Sequence, residues 1–516
     1  MSQSEGDDPV KPGILAKGYA AAKTVYKLKH FILTAATTTL GYYTIGAPHP
    51  TWPLSTALLC ALARYSSETA SAERRLCAAT NEGEPIDVNV EIRKARRRME
   101  GLVRPDPKGG PIVETEFRVK QRGLEGLLRD NDREETGGRT IKAEWSCHQD
   151  VLHDDRGKVL LYFHGGAYCF LSPRTHRHTC MALSKELGRR VLSVDYRLSP
   201  ETRFPGAVHD AVSAYFYLTE DLGIAPKDIL VAGDSAGGNL ASSLLLYLRD
   251  SGLAQVAGGI LLSPWVDFTA SFKSWDLNKL TDYLAIDPTD PLCPPGLYVP
   301  SEPYLAHPYV SQAFMADFSH LPPLFVLAGG NEVLLDEITL YAQRADQHDV
   351  DVTHEIFEGG VHVFVSIMEQ MGWEGYRSIG RWAKERFTVE EAEGADRGNQ
   401  AWRGVEESLL DVWEVKRRKL GIDTGEAGTG RLDSSSGNGN GNGNNDTMRR
   451  PNRNDRFVWE YTTEEAPTIQ LRRDSPVHPL ARKAYIANNT ERKRHGLTRV
   501  VRAKKNPEFT GRLFHL

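Results

Sequence analysis

A chain of 516 residues with 40% hydrophobic and 25% charged residues has the composition of an ordinary globular protein and is long enough for more than one domain. A net charge of −5 excludes a chain built throughout to coat nucleic acid. Six cysteines (Cys60, Cys77, Cys147, Cys169, Cys180, Cys293) carry no CxxC pair and no Cys/His cluster at metal-ligand spacing, so they read as reduced, structural thiols.

The opening MSQSEGDDPVKPG is acidic and polar, unlike a signal peptide, and the expectation is a cytoplasmic protein. Residues 30–64 are apolar but interrupted by threonines, Gly41, Gly46, Pro48, Pro50 and Pro53. No uninterrupted run of about 18 strongly apolar residues exists, so a membrane span is not expected. The stretch KGYAAAKTVYKLKHFIL is basic and partly amphipathic, and two readings stay open: a core-facing segment, or association with a membrane or lipid surface. Residues 1–110 are read as an N-terminal segment, partly cap or membrane-facing.

From Glu114 to Trp382 short apolar runs alternate with helical stretches. KVLLYFHGG, RRVLSVDYR, DILVAGDS, GGILLSPW, PPLFVLAGG and DVTHEIFEGG are short, β-branched and bounded by breakers, and predict buried strands. Helices are predicted at 177–187, 207–219, 239–251, 334–348 and 363–371. This alternation predicts an α/β fold with a mostly parallel central sheet, helices on both faces and ligands at the carboxyl ends of the strands. The catalytic domain is placed at 111–393. Residues 268–312, rich in Pro, Asp and Tyr, interrupt the alternation and read as a cap over the site.

After about Gly394 the character changes. SSSGNGNGNGNN is low-complexity linker, with no strand before it and no Gly-Lys-Ser/Thr after it to make a phosphate loop. Residues 448–516 hold 16 Lys/Arg against 7 Asp/Glu. Residues 394–516 are therefore expected to be a linker and a basic, largely disordered extension, with contact to nucleic acid or an anionic lipid as its sharper reading.

Gly233-Asp234-Ser235-Ala236-Gly237 fits G-x-S-x-G, preceded by ILVA and followed by NLASSLLLYL. A strand-to-helix corner there holds a serine hydroxyl out at the sheet edge, and positions two away on either side must lack bulk. The serine needs a base and a carboxylate to orient it. His362, in a glycine-rich loop downstream, is the base candidate. LFVLAGGNEVLLDE offers Glu332 and Asp336 as the acid, and Glu332 is preferred because it follows the strand directly. His164-Gly165-Gly166-Ala167 follows another strand, and the N–H groups of Gly165, Gly166 and Ala236 are the expected oxyanion donors.

Together these motifs resemble the hormone-sensitive-lipase-like branch of the α/β-hydrolases. HGGA is similar to its HGGG/HGGA motif, DYRLSPETRFPGAVHD to its DYRLAPE block, GDSAGGN to its nucleophile elbow and GGVHVF to its histidine loop. The resemblance covers about Lys158 to Phe364. It implies a helical cap built from an N-terminal segment and an insertion, here 268–312. The family's acid is usually Asp in D-x-L-x-D-E; this chain reads Glu332-Val333-Leu334-Leu335-Asp336-Glu337.

The leading expectation is thus a serine carboxylester hydrolase for short- to medium-chain or sterol-type esters, needing no cofactor or metal. The alternative is a catalytically weak small-molecule-binding or membrane-associated scaffold on the same fold. The expected partner is a small-molecule ester, with no nucleic acid.

Overall fold

The computed structural model describes residues 14–80, 86–101, 103–154, 157–387, 399–420, 422, 457–465, 467–472, 477–491 and 497–505. The acidic opening and the Gly/Asn run from Ser434 lie outside the described residues.

The predicted apolar runs are strands, and they pair into one ten-stranded sheet. Its strands are β1 (Ile112–Arg118), β2 (Thr140–Ser146), β3 (Val159–Phe163), β4 (Arg190–Val194), β5 (Ile229–Asp234), β6 (Gly258–Leu262), β7 (Leu324–Gly329), β8 (Val352–Phe357), β9 (Phe457–Glu465) and β10 (Leu497–Lys505). The order across the sheet is β1-β2-β4-β3-β5-β6-β7-β8-β10-β9. From β4 to β10 all pairings are parallel, and β1, β2 and β9 run antiparallel to their neighbours.

The central strands are continuous hydrophobic runs because both faces are covered. Alternate residues go to opposite cores. Leu161, Phe163 and Val231 pack on one face, with Val208, Leu240 and Ile338 from the helices Gly206–Phe216, Ala236–Asp250 and Leu335–Gln347. Leu160, Tyr162 and Leu230 pack on the other, with Leu183, Ile379 and Trp382 from the helices Arg177–Leu187 and Glu369–Arg386. The predicted helix at 363–371 is instead a short turn, Phe364–Ile367, with the long helix starting at Glu369.

The interrupted apolar stretch forms two helices, α1 (Ile14–Thr44) and α2 (Leu54–Thr80), separated by a proline-bearing connection, and α3 (Val88–Glu100) follows. Asp87 caps α3 by accepting from the Val90 N–H at 3.1 Å. The 268–312 insertion holds only short helical pieces, chiefly Ser274–Leu277 and Pro294–Tyr298. Arg74 of α2 pairs with Asp290, and Arg75 and Ser71 hold Asp287, so α2 and the insertion form one layer.

The expectation of a largely disordered extension after Gly394 is corrected for its described residues. The helix Gln400–Lys419 buries Trp402, set edge-on to Trp145 of β2 at 5.8 Å. β10 joins β8 through Arg499–Val501, burying Val501, and Arg499 pairs with the buried Glu355 at 2.8 Å. The helix Pro479–Glu491 packs on Leu335–Gln347, with Asn488 bonded to Gln343 and Gln347. The reason is local composition: LTRVVRAKK places the β-branched Val500 and Val501 between its basic residues, and both are buried, so a net basic segment still has apolar side chains to bury.

Candidate active site

β5 runs into Ser235, whose φ of 54° and ψ of −120° are strained for a side-chain-bearing residue. Such a conformation costs on the order of 1–3 kcal/mol and persists only where neighbours fix it. The Ser235 N–H donates to the Leu262 carbonyl on β6 at 2.9 Å, and its own carbonyl accepts from the Asn239 and Trp265 N–H groups. The flanking glycines are demanded by space: a Cβ on Gly233 would lie 2.2 Å from the Gly237 carbonyl oxygen, and one on Gly237 would lie 2.0 Å from that of Phe163.

The loop after β8 carries His362 to this corner. His362 Nε2 lies 2.9 Å from Ser235 Oγ, and His362 Nδ1 lies 3.2 Å from Glu332 Oε2. Glu332 Oε1 accepts from the Gly329 N–H at 3.2 Å, which fixes the carboxylate at the end of β7. Facing a carboxylate, Nδ1 carries the ring proton, and Nε2 is left as the acceptor toward Ser235. Burial alone would depress His362, but the bond to Glu332 and the charges of Glu332 and Asp282 raise it above an ordinary imidazole. Burial pushes Glu332 up, against the pull of His362.

Asp336 does not enter this chain of bonds. Its Oδ2 accepts from the Ser274 N–H at 3.0 Å, its own N–H donates to Ser274 Oγ at 3.2 Å, and burial raises it to about 6. Glu337 accepts from the Val266 and Asp267 N–H groups, both at 3.0 Å. The pair of acids after Leu335 therefore moors the start of the insertion to the helix Leu335–Gln347.

The oxyanion expectation is corrected at Gly165. Its N–H donates to Asp234 Oδ1 at 3.0 Å, so it is spent inside the fold. A Cβ on Gly165 would lie 2.3 Å from Asp234 Oδ2, so this glycine is required for its packing on Asp234. Among the described residues no acceptor engages the N–H groups of Gly166, Ala167 or Ala236. Ala167 and Tyr168 have φ of 55° and 58°, turning this loop over the nucleophile corner. Asp234 also accepts from the Tyr162 hydroxyl and faces His176 Nε2 at 3.4 Å. Burial works against ionisation of both, yet the pairing wins: Asp234 is held below the usual carboxylate range and His176 above an ordinary imidazole.

The DYRLSPE block buttresses the same loop. The Tyr196 hydroxyl donates to the His164 carbonyl at 2.7 Å and the Ser199 N–H to that of Tyr168 at 2.8 Å. Arg96 of α3 donates to the Cys169 and Ser199 carbonyls, each at 2.7 Å, and grips Glu201 with both terminal nitrogens.

A profile of the α/β-hydrolase fold matches residues 160–366. The chain is 39% identical over 229 residues to an acetyl-hydrolase of Streptomyces hygroscopicus, covering 43% of this chain and 72% of that protein. It belongs to the hormone-sensitive-lipase-like α/β-hydrolases. An esterase of Acinetobacter venetianus is 34% identical over 225 residues, covering 43% of this chain and 69% of its own. The solved structure of a hormone-sensitive lipase from a metagenome library aligns over 62% of this chain and 98% of its own, at 30% identity and a TM-score of 0.48.

Within this hormone-sensitive-lipase-like chain, glutamate holds the acid position, and its extra methylene still brings Oε2 to His362. A second buried acid, Asp282, was missed by the sequence reading. Its Oδ1 accepts from the N–H groups of His362 (3.1 Å) and Tyr283 (2.8 Å), and its Oδ2 from that of Val333 at 2.9 Å. One carboxylate in the insertion thus clamps the His362 loop to the Glu332 loop. Its signal in the sequence is weak: Asp276, Asp282, Asp287 and Asp290 occur in one stretch, and no spacing singles one out.

Proposed function

We propose that this chain is a serine carboxylester hydrolase. Ser235 Oγ attacks the ester carbonyl carbon while His362 Nε2 takes its proton. The carbonyl oxygen gains the negative charge and meets the N–H groups of Gly166, Ala167 and Ala236. The intermediate collapses, the C–O bond to the alcohol breaks, and the departing oxygen takes the proton from His362. Water then attacks the acyl-Ser235 carbonyl, with His362 as base, and releases the carboxylic acid and free Ser235. Glu332 holds the Nδ1 proton and stabilises the transient imidazolium throughout.

The observation that carries this reading is the unbroken chain Ser235 Oγ–His362–Glu332 at 2.9 and 3.2 Å on a strained strand-to-helix corner. For the substrate, we propose short- to medium-chain or sterol-type esters. The short acyl end is supported by the rings beside Ala167: Tyr168 stacks on Tyr298 at 3.8 Å and Trp265 on Phe268 at 3.7 Å, all buried. We infer from this close packing that little room is left beside the Ser235 corner for a long acyl chain. The relatives named acetyl-hydrolase and esterase agree with that end of the range.

The test is a panel of p-nitrophenyl esters from acetate to palmitate, run on the chain and on Ser235→Ala. Turnover should be highest on the short esters and fall on the order of a millionfold in the variant. Equal turnover by a clean Ser235→Ala preparation removes the mechanism.

A further inference from the structure

The helix α1 is unusual in this molecule. None of its residues from Val25 to Thr44 is fully buried, and its packing partner is α2. Large apolar side chains are nonetheless displayed along it: Val25 is 66% exposed, Leu40 65% and Ile45, just past its end, 92%, with Leu28, Ile32 and Tyr43 also exposed. From Phe31 to Ile45 the chain has no charged residue, and between Asp8 and Glu68 it has no acidic residue at all, while Lys11, Lys17, Lys23, Lys27, Lys29 and Arg64 fall in that span.

Three of the hydroxyls on this surface are satisfied within the helix. Thr37 Oγ1 donates to the Leu33 carbonyl at 2.9 Å, Thr39 Oγ1 to that of Ala35 at 2.8 Å and Thr44 Oγ1 to that of Leu40 at 2.8 Å. Hydroxyls bonded back to their own helix need no water and are at ease in an apolar medium. The fourteen uncharged helical residues from Phe31 to Thr44 cover about 21 Å, short of the roughly 30 Å hydrocarbon core, and no described helix is long and apolar enough to cross a membrane. An apolar run too short to span the hydrocarbon core is accommodated at the surface rather than across it, with basic residues at the headgroup level.

The α1–α2 connection sits on the loop that delivers the base. The Tyr42 hydroxyl donates to the Trp52 carbonyl at 2.8 Å, and Trp52 Nε1 donates to the Gly359 carbonyl at 2.6 Å, three residues before His362. In α2, Arg64 donates to the Asp282 carbonyl at 2.7 Å, and Asp282 holds the His362 N–H. Whatever α1 rests on is therefore mechanically joined to the catalytic loops.

We propose that α1 is an interfacial anchor, its apolar side chains from Val25 to Ile45 seated in the surface of an anionic lipid bilayer and the exposed Lys29 on the headgroups, Lys27 being paired with Glu73 of α2. The acid-free span supplies the charge complementarity to anionic headgroups, each basic residue near the surface adding to the attraction. The full chain should float with vesicles of phosphatidylcholine containing phosphatidylserine, more weakly with phosphatidylcholine alone, and less as salt rises. The variant carrying Ile32→Glu, Leu40→Glu and Ile45→Glu should lose at least tenfold in vesicle affinity. All three positions are exposed, so its circular dichroism should match that of the parent; as a second variant, exposed Lys29→Glu should weaken the preference for phosphatidylserine, whereas Lys27 is left in place because it pairs with Glu73 of α2 at 2.7 Å. Neither readout depends on catalysis, so the result stands apart from the ester-hydrolase reading. The proposal is overturned if the parent ignores both vesicle types, or if the triple variant binds as well as the parent. It is equally overturned if light scattering shows a dimer that the triple variant dissolves without any vesicle binding, since a second copy would then cover the face.

Discussion

Replacing Glu332 with glutamine keeps the size of the acid side chain and removes its charge. The carboxylate lies 3.2 Å from His362 Nδ1, and both groups are buried. At an effective dielectric constant of about 20, two unit charges at that distance interact by about 5 kcal/mol. That stabilisation is available to the imidazolium formed when Ser235 loses its proton and is absent from the neutral ground state. Its loss corresponds to about 10⁴-fold in turnover. The amide can also turn its NH₂ toward Nδ1 and favour the wrong tautomer, which acts in the same direction. The assay is kcat on p-nitrophenyl acetate across pH 5–9 for Glu332→Gln and Asp336→Asn, with thermal melts to confirm folding. Asp336 is bonded to Ser274 and away from the imidazole, so its variant should lose stability more than turnover. A Glu332→Gln enzyme within tenfold of the parent, or an Asp336→Asn enzyme worse than it, refutes the assignment of the acid.

Asp282→Asn should move the acid limb of the kcat/KM profile to lower pH. The carboxylate raises His362, so without it the base is neutral and competent further into acid; a limb that stays put or moves upward contradicts this. The same change leaves buried N–H groups poorly matched and should cost about 1–3 kcal/mol in urea unfolding. Asp234→Asn strands the buried His176 and should cost about 3–5 kcal/mol. The signs of the two shifts fix the window. The contribution of Asp234 is present above the unfolded carboxylate value and lost as pH falls, that of His176 is present below the unfolded imidazole value and lost as pH rises, so the deficit of the variant is largest between about pH 4 and 6.5. A deficit independent of pH would show that the pair is not ionised. Deleting residues after Gly394 removes β10 from β8 and uncovers Phe357, at the root of the His362 loop. The melting temperature should fall by at least about 5 °C and esterase activity with it, whereas unchanged values would mean that the added strands are dispensable.

Most of the site was legible because its constraints are local. A serine on a strand-to-helix corner leaves its mark as Gly233, Gly237 and the apolar run before them, and the His362 and Glu332 loops each follow a buried strand. What stayed hidden depends on partners far along the chain. Asp282 is an ordinary aspartate until its carboxylate meets N–H groups from two other loops. Gly165 reads as an oxyanion donor until the side chain of Asp234, 69 residues away, claims its N–H. The C-terminal strands are masked by net charge: FVWEYTTEE sets Trp459 and Tyr461 on one side and Glu460 and Glu464 on the other, while LTRVVRAKK mixes charged and apolar residues on both sides and still buries the adjacent Val500 and Val501. Two further strands, β1 and β2, are joined only by the short helical turns Gly126–Leu128 and Arg129–Arg133 and pair antiparallel, so they fall outside the alternating pattern.

The central claim is that Ser235 is activated by His362. A fluorophosphonate probe reacts with a serine only when such a base is in place, and peptide mapping by mass spectrometry locates the adduct. The account predicts a single adduct on the peptide containing Ser235, formed rapidly in the parent and suppressed in His362→Ala despite an intact fold. Labelling of another residue, or equal labelling of Ser235 with and without His362, would contradict it.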